Sequence, residues 1–222
     1  MTEVYLEAGK RKVFACAPRW PGWCRPGRGE EAALAALAAA APRYAEVCAG
    51  AGFAFDPVEV VAGFEVVERV TGSATTDFGA LDVAPALDGE PVAVQEAQQL
   101  ATLIETAWGL FEQTAALAPP VLRKGPRGGG RDRDEIVAHV RETEVLHARM
   151  LGLRERPFPP QDVAAVERVR ARILAEIRAG AGRPPEERAR SRRPARFVAR
   201  RTAWHALDHA WEIQDKQERQ QL

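Results

Sequence analysis

Reactive and stapling side chains are scarce in this chain of 222 residues: three cysteines, two methionines, two tyrosines and four histidines. Cys16, Cys24 and Cys48 are odd in number and form no C-x-x-C pair, which argues against a disulfide framework and a thiolate zinc site. They read as small buried hydrophobes. No apolar run approaches the ~20 residues of a membrane-spanning helix, so no membrane partner is expected. The N-terminus lacks a basic segment followed by an apolar one, so no signal peptide is expected and a cytoplasmic protein follows. Solenoid repeats are absent. Net charge is absent too, with 31 Lys and Arg balancing 31 Asp and Glu.

What is present is an ordinary globular composition, 46% hydrophobic and 28% charged, in a 24.3 kDa chain able to bury one or two cores. Charge is uneven along it. Residues 123–201 hold 21 Lys and Arg against 11 Asp and Glu, so the remainder is acidic. Such a basic face can meet an anionic small molecule or an acidic partner, or can simply be solvated. The Arg-rich run at 183–201 lacks interleaved aromatics, which argues against nucleic acid. The glycine-rich stretch 124–131 lacks the Gly-Lys-Ser/Thr ending of a nucleotide loop and reads as a connector, with an anion site at the following helix start as the alternative.

The periodicity changes midway. Residues 4–7 and 12–17, joined by Ala8-Gly9-Lys10, read as a β-hairpin. Pro18, Pro21, Gly22, Pro26, Gly27 and Gly29 then read as a loop. A helix starts at Glu30, Pro42 ends or restarts it, and residues 64–70 form a further strand candidate. The turn-rich stretch 72–91 reads as a linker. Beyond it, four helical segments at 92–117, 132–151, 161–179 and 194–217 are separated by breakers. The expected architecture is therefore a small α+β domain over residues 1–90 and an all-α four-helix bundle over 91–222.

Two of the four histidines, His205 and His209, stand four apart in the last helix. That spacing puts both rings on one face, roughly 6 Å apart along the axis and about 40° around it. On the same wheel Arg201, Asp208 and Glu212 join them in one narrow polar stripe. The rest of the circumference is apolar, so the stripe faces either a cavity or solvent. His139, in Ile136-Val137-Ala138-His139-Val140, shares a face with Ile136, Thr143, Leu146 and Met150 and should point inward. Three imidazoles from two helices can hold Zn²⁺ or another divalent ion and leave one position for water or substrate. His147 lies about 80° and roughly 12 Å from His139, and reads as a surface or rim residue and the fallback third ligand.

An inward histidine in this I-V-x-H-V segment, followed by H-x-x-x-H on the last helix, resembles the DinB/YfiT-like metalloenzyme superfamily over residues 92–216. The resemblance implies a four-helix bundle, often dimeric, with a metal such as zinc or nickel on His139, His205 and His209. It also implies thiol-dependent transfer or metal-assisted hydrolysis, with a low-molecular-weight thiol as a second cofactor. Asp208 and Glu212 would then hold the outer N–H of the ligand rings or move protons. Arg201 would steer an anionic small-molecule substrate. The competing class is a non-catalytic metal-binding or regulatory module that meets an anionic partner through the basic face. At the other end, Pro21-Gly22-Trp23-Cys24, Gly27 and Glu30-Glu31-Ala32-Ala33-Leu34 after the hairpin resemble the β-β-α unit of HicB-like proteins.

Overall fold

The computed structural model describes residues 1–125, 129–182 and 192–217. Strand β1 (Thr2–Ala8) turns through Gly9, whose N–H donates to the Lys12 carbonyl at 2.9 Å, into antiparallel β2 (Val13–Cys16). A third strand, β3 (Cys24–Gly27), corrects the expected loop and turns the β-β-α unit into β-β-β-α. Pro26 hid it. The sheet order is β3-β2-β1-β4, so β3 is an edge strand, where a proline's missing N–H leaves no partner unsatisfied. Gly27 packs against helix α1 (Glu30–Ala39) so closely that a Cβ would lie 2.2 Å from the Ala33 nitrogen.

Pro42 restarts the helix as α2 (Ala41–Gly50), where its missing N–H falls in the first turn and costs no bond. After the short Asp56-capped α3 (Pro57–Val61), strand β4 (Phe64–Thr71) pairs parallel to β1. Trp23 stacks on Tyr44, and Phe55 meets both rings edge-on.

The 72–91 stretch is packed rather than linking. Helix α4 (Ala74–Phe78) is capped by Ser73, and the Thr76 hydroxyl donates to the buried Glu7 carboxylate at 2.5 Å. The Asp82 and Val83 N–H groups donate to the same carboxylate, and Leu81 and Asp88 are fully buried. Its polarity disguised this, because each buried polar group is satisfied by a residue far away in sequence.

Helices α5 (Val94–Leu117), α6 (Arg133–Met150), α7 (Val163–Ala179) and α8 (Ala195–Gln217) follow the expected segments closely. They close a ring in which α5 and α6 each pack against both α7 and α8. One continuous core joins Val4 and Leu6 of β1 and Trp23 to Leu103 of α5 and Phe197 of α8. Every residue in 196–204 is buried, so α8 is the shared spine of sheet and bundle. No helix among the described residues is long and apolar enough to cross a membrane.

Candidate metal centre

Helix α6 starts at Asp132, where Glu135 accepts the Asp132 N–H at 2.8 Å. That start sets the phase of His139 and His147. The buried stripe of α6 runs Ile136, Val140, Glu144, His147 and Ala148, with His139 half-buried beside it. This is a correction by one position: Leu146 is 45% exposed, whereas His147 is only 1% exposed and is not a rim residue. Glu144 interrupts the apolar pattern of this stripe, because a carboxylate reads as a polar face. It lies inward because it pairs with Arg170 of α7 at 2.7 Å.

The rings of His139, His205 and His209 converge where α6 crosses α8. His205 and His209 have centroids 4.7 Å apart, and His139 lies 5.0 and 5.1 Å from them. One nitrogen from each of the three lies within 4.8 Å of the other two. The Nε2 atoms of His139 and His205 are 3.1 Å apart. Zn–N bonds of about 2.0–2.1 Å on a tetrahedron separate ligand nitrogens by about 3.3 Å, so the donor set fits one divalent ion.

The third ring is oriented from outside. His209 Nδ1–H donates to Glu212 Oε2 at 2.7 Å, and Lys216 Nζ donates to Glu212 Oε1 at 2.5 Å. A carboxylate only accepts, so Nδ1 carries the donated proton and Nε2 is the nitrogen left to face the other rings. Burial pushes Glu212 up, yet the hydrogen bonds from His209 and Lys216 outweigh it and hold the carboxyl at about 2. This carboxylate–histidine arrangement fixes ring orientation at metal sites generally.

The other imidazoles are kept neutral. Burial, with the charge of Arg131 and the neighbouring His209 ring, lowers His139 to about 4. Burial, then the neighbouring histidines and Arg201, drives His205 well below its ordinary value. Neutral imidazoles offer lone pairs, which is what a metal requires.

Two candidates stand elsewhere. Asp208 accepts from Arg25 Nη1 at 2.6 Å and has no histidine partner. Arg201 donates to the Leu81 carbonyl and lies 3.6 Å from Asp82, so it fastens the 72–91 strap. Sequence reasoning missed Lys216 as the pin of Glu212, though its i+4 spacing carried the signal.

Beside the centre, a groove of about 570 Å³ is lined by Arg25, Arg43, Asp208, Trp211, Glu212 and Asp215, among others. Arg25 and Arg43 flank the Trp211 ring at 4.3 and 5.1 Å. Arg25 pairs with Asp208, Arg43 with Asp215 and Lys216 with Glu212, so the groove is internally neutralised. The basic 123–201 segment behaves similarly: Arg141, Arg170, Arg196 and Arg200 all hold carboxylates at Glu112, Glu144, Glu96 or Asp88. Residues 183–191 of its Arg-rich run and residues 126–128 of the glycine-rich stretch lie outside the described residues. No protein-family model, curated protein or solved structure matched the chain.

Proposed function

We propose that this chain is a divalent-metal-dependent enzyme of the DinB-like type, with Zn²⁺ or Ni²⁺ held by His139, His205 and His209. The observation that carries this reading is the convergence of three imidazole nitrogens within 4.8 Å. When bound, a divalent ion supplies Lewis acidity that lowers the pKa of a bound water or thiol. Glu212 and Lys216 keep the His209 Nε2 pointing inward, and burial keeps His139 and His205 unprotonated at neutral pH. The neighbouring groove gives a small molecule access along Asp208 and Glu212, with Trp211 as an apolar wall. Thiol-dependent transfer and metal-assisted hydrolysis are the two reactions this arrangement serves.

The test is metal analysis of protein purified without a histidine tag. About one equivalent of zinc or nickel is expected in the wild type, and none in a His205→Ala/His209→Ala double variant with an unchanged circular-dichroism spectrum. Equal metal content in the two proteins overturns the reading. Adding cellular thiols to the metal-loaded wild type then separates the two reactions.

A further inference from the structure

Three histidines do not exhaust the imidazoles at this crossing. His147, two turns beyond His139 on α6, packs its ring edge-on to His205 with centroids 5.7 Å apart. It is 1% exposed, and both ring nitrogens lack a hydrogen-bond partner among the described residues. One turn before His205 on α8, the Thr202 hydroxyl is buried and unpartnered as well. Natural interiors rarely leave such groups unsatisfied, because each one costs desolvation that nothing returns. A cluster of them against a candidate metal ligand asks for a functional reason.

His147 is outside the set of nitrogens that converge within 4.8 Å, so it is not a ligand of the same ion. It lies instead against the His205 ring, at an interplanar angle of 84°. That ring directs Nε2 toward His139, which leaves Nδ1 as its outer nitrogen, without a partner among the described residues. Metal-bound histidines ordinarily donate this outer N–H to an acceptor. His209 has Glu212 for the purpose, and His205 has no carboxylate partner among the described residues.

Resting on the metal-site reading above, we propose that His147 is the positioning residue for His205, accepting its Nδ1–H when the centre closes on an ion. Two imidazoles joined by an N–H···N bond of about 2.9 Å have centroids roughly 5.2 Å apart. The observed centroid separation of 5.7 Å exceeds that by about half an ångström, so the bond forms only with a rotation of the rings. A neutral imidazole has one acceptor nitrogen, so the His147 ring can take the Nδ1–H of its neighbour. The centre thus has one ligand oriented by an anion and one oriented by a neutral imidazole, which adds no charge to a buried pocket.

Cobalt(II) is the probe, because its visible bands report ligand geometry without any turnover. Untagged wild-type protein, His147→Leu and His147→Gln are titrated with Co²⁺, and the thermal midpoints of the metal-free forms are compared. Leucine fills the space without nitrogens, so His147→Leu is expected to raise the metal-free Tm by about 2–4 °C. The same variant is expected to bind Co²⁺ about 10–100-fold more weakly, with displaced visible bands. His147→Gln, which keeps an acceptor, is expected to recover most of the affinity and the wild-type bands.

Wild-type affinity and bands in His147→Leu overturn the proposal while leaving the three-histidine site intact. Failure of His147→Leu to fold also overturns it, because the ring would then be structural. No Co²⁺ uptake by the folded wild type removes the metal-site reading itself.

Discussion

The two halves of α8 are both polar and both buried, yet they treat their polar groups in opposite ways. In the first half, Arg196 donates to Glu96 and to the carbonyls of Leu87, Glu90 and Pro91. Arg200 is fully buried against Asp88, with the Tyr5 ring and hydroxyl beside it. Arg201 is fastened to the Leu81–Asp82 turn. Every one of these cations is matched, and their partners lie on the 72–91 strap, the start of α5 and the sheet. In the second half, His205 and His209 face each other and His139, Glu212 meets only the His209 ring of the three, and the adjoining His147 of α6 has no hydrogen-bond partner among the described residues. Matched polar groups tie the chain together, whereas unmatched ones remain free to take a ligand. The first half of α8 is a fastening and the second half a receptor.

Breaking the fastening should have the largest effect. Asp88→Ala leaves the Arg200 guanidinium buried without its counter-ion, and loss of one partner from a buried pair costs about 3–5 kcal/mol. Urea unfolding of the metal-free protein measures it. A loss under about 1 kcal/mol would mean that Arg200 finds other partners and that the contrast within α8 is overdrawn.

Acidification probes the receptor half. His147 is neutral in the fold down to about pH 3, but in the unfolded chain it protonates near 6.5. Below pH 6.5 the unfolded state therefore binds the extra proton, and stability falls with pH by up to about 1.4 kcal/mol per unit. Carboxylates contribute slopes of their own. Glu144, raised to about 7 by burial, works in the opposite direction. The clean measurement is thus the difference between metal-free wild type and His147→Leu. Relative to the variant, the wild type should weaken steadily from pH 6.5 to 5. A flat difference would mean that His147 is protonated, or hydrogen-bonded as a donor, in the fold.

How far the sequence discloses this contrast depends on the range of the interactions. Helices α5 to α8 and the H-x-x-x-H pair are local patterns, written in 3.6-residue periodicity and in breakers, and they were legible. The convergence of His139 with that pair was also expected, since an inward residue and an i, i+4 pair on a neighbouring helix have few other places to meet. Strand β3 was obscured by Pro26, because a proline signals an edge only once the sheet order is known. The strap was obscured because Glu7, Asp82 and Asp88 look solvated until Thr76, Arg193, Arg200 and Arg201 are seen beside them. The burial of His147 was missed through a single position of helical phase. The signal was there in the i, i+4, i+3 run from Val140 through Glu144 to His147, had Glu144 been allowed inside.

The smallest effects separate the two acidic residues of the stripe. Glu212 accepts the His209 Nδ1–H and Asp208 does not touch a histidine, although the wheel put both on one face. Glu212→Gln keeps the shape but loses the charge that holds the Nδ1 proton, and an amide can present N–H where an acceptor is needed. Metal affinity is expected to fall about 10–100-fold with little change in folding, since residues that orient a ligand ring typically cost that much. Asp208→Asn breaks only a partly exposed pair with Arg25, so it should shift stability by under about 1 kcal/mol and leave metal affinity unchanged. Isothermal titration with Zn²⁺ compares the two variants under one set of conditions. Equal losses in both would mean that the stripe acts through its summed negative charge, and a loss only in Glu212→Gln would mean that it acts through the orientation of one ring.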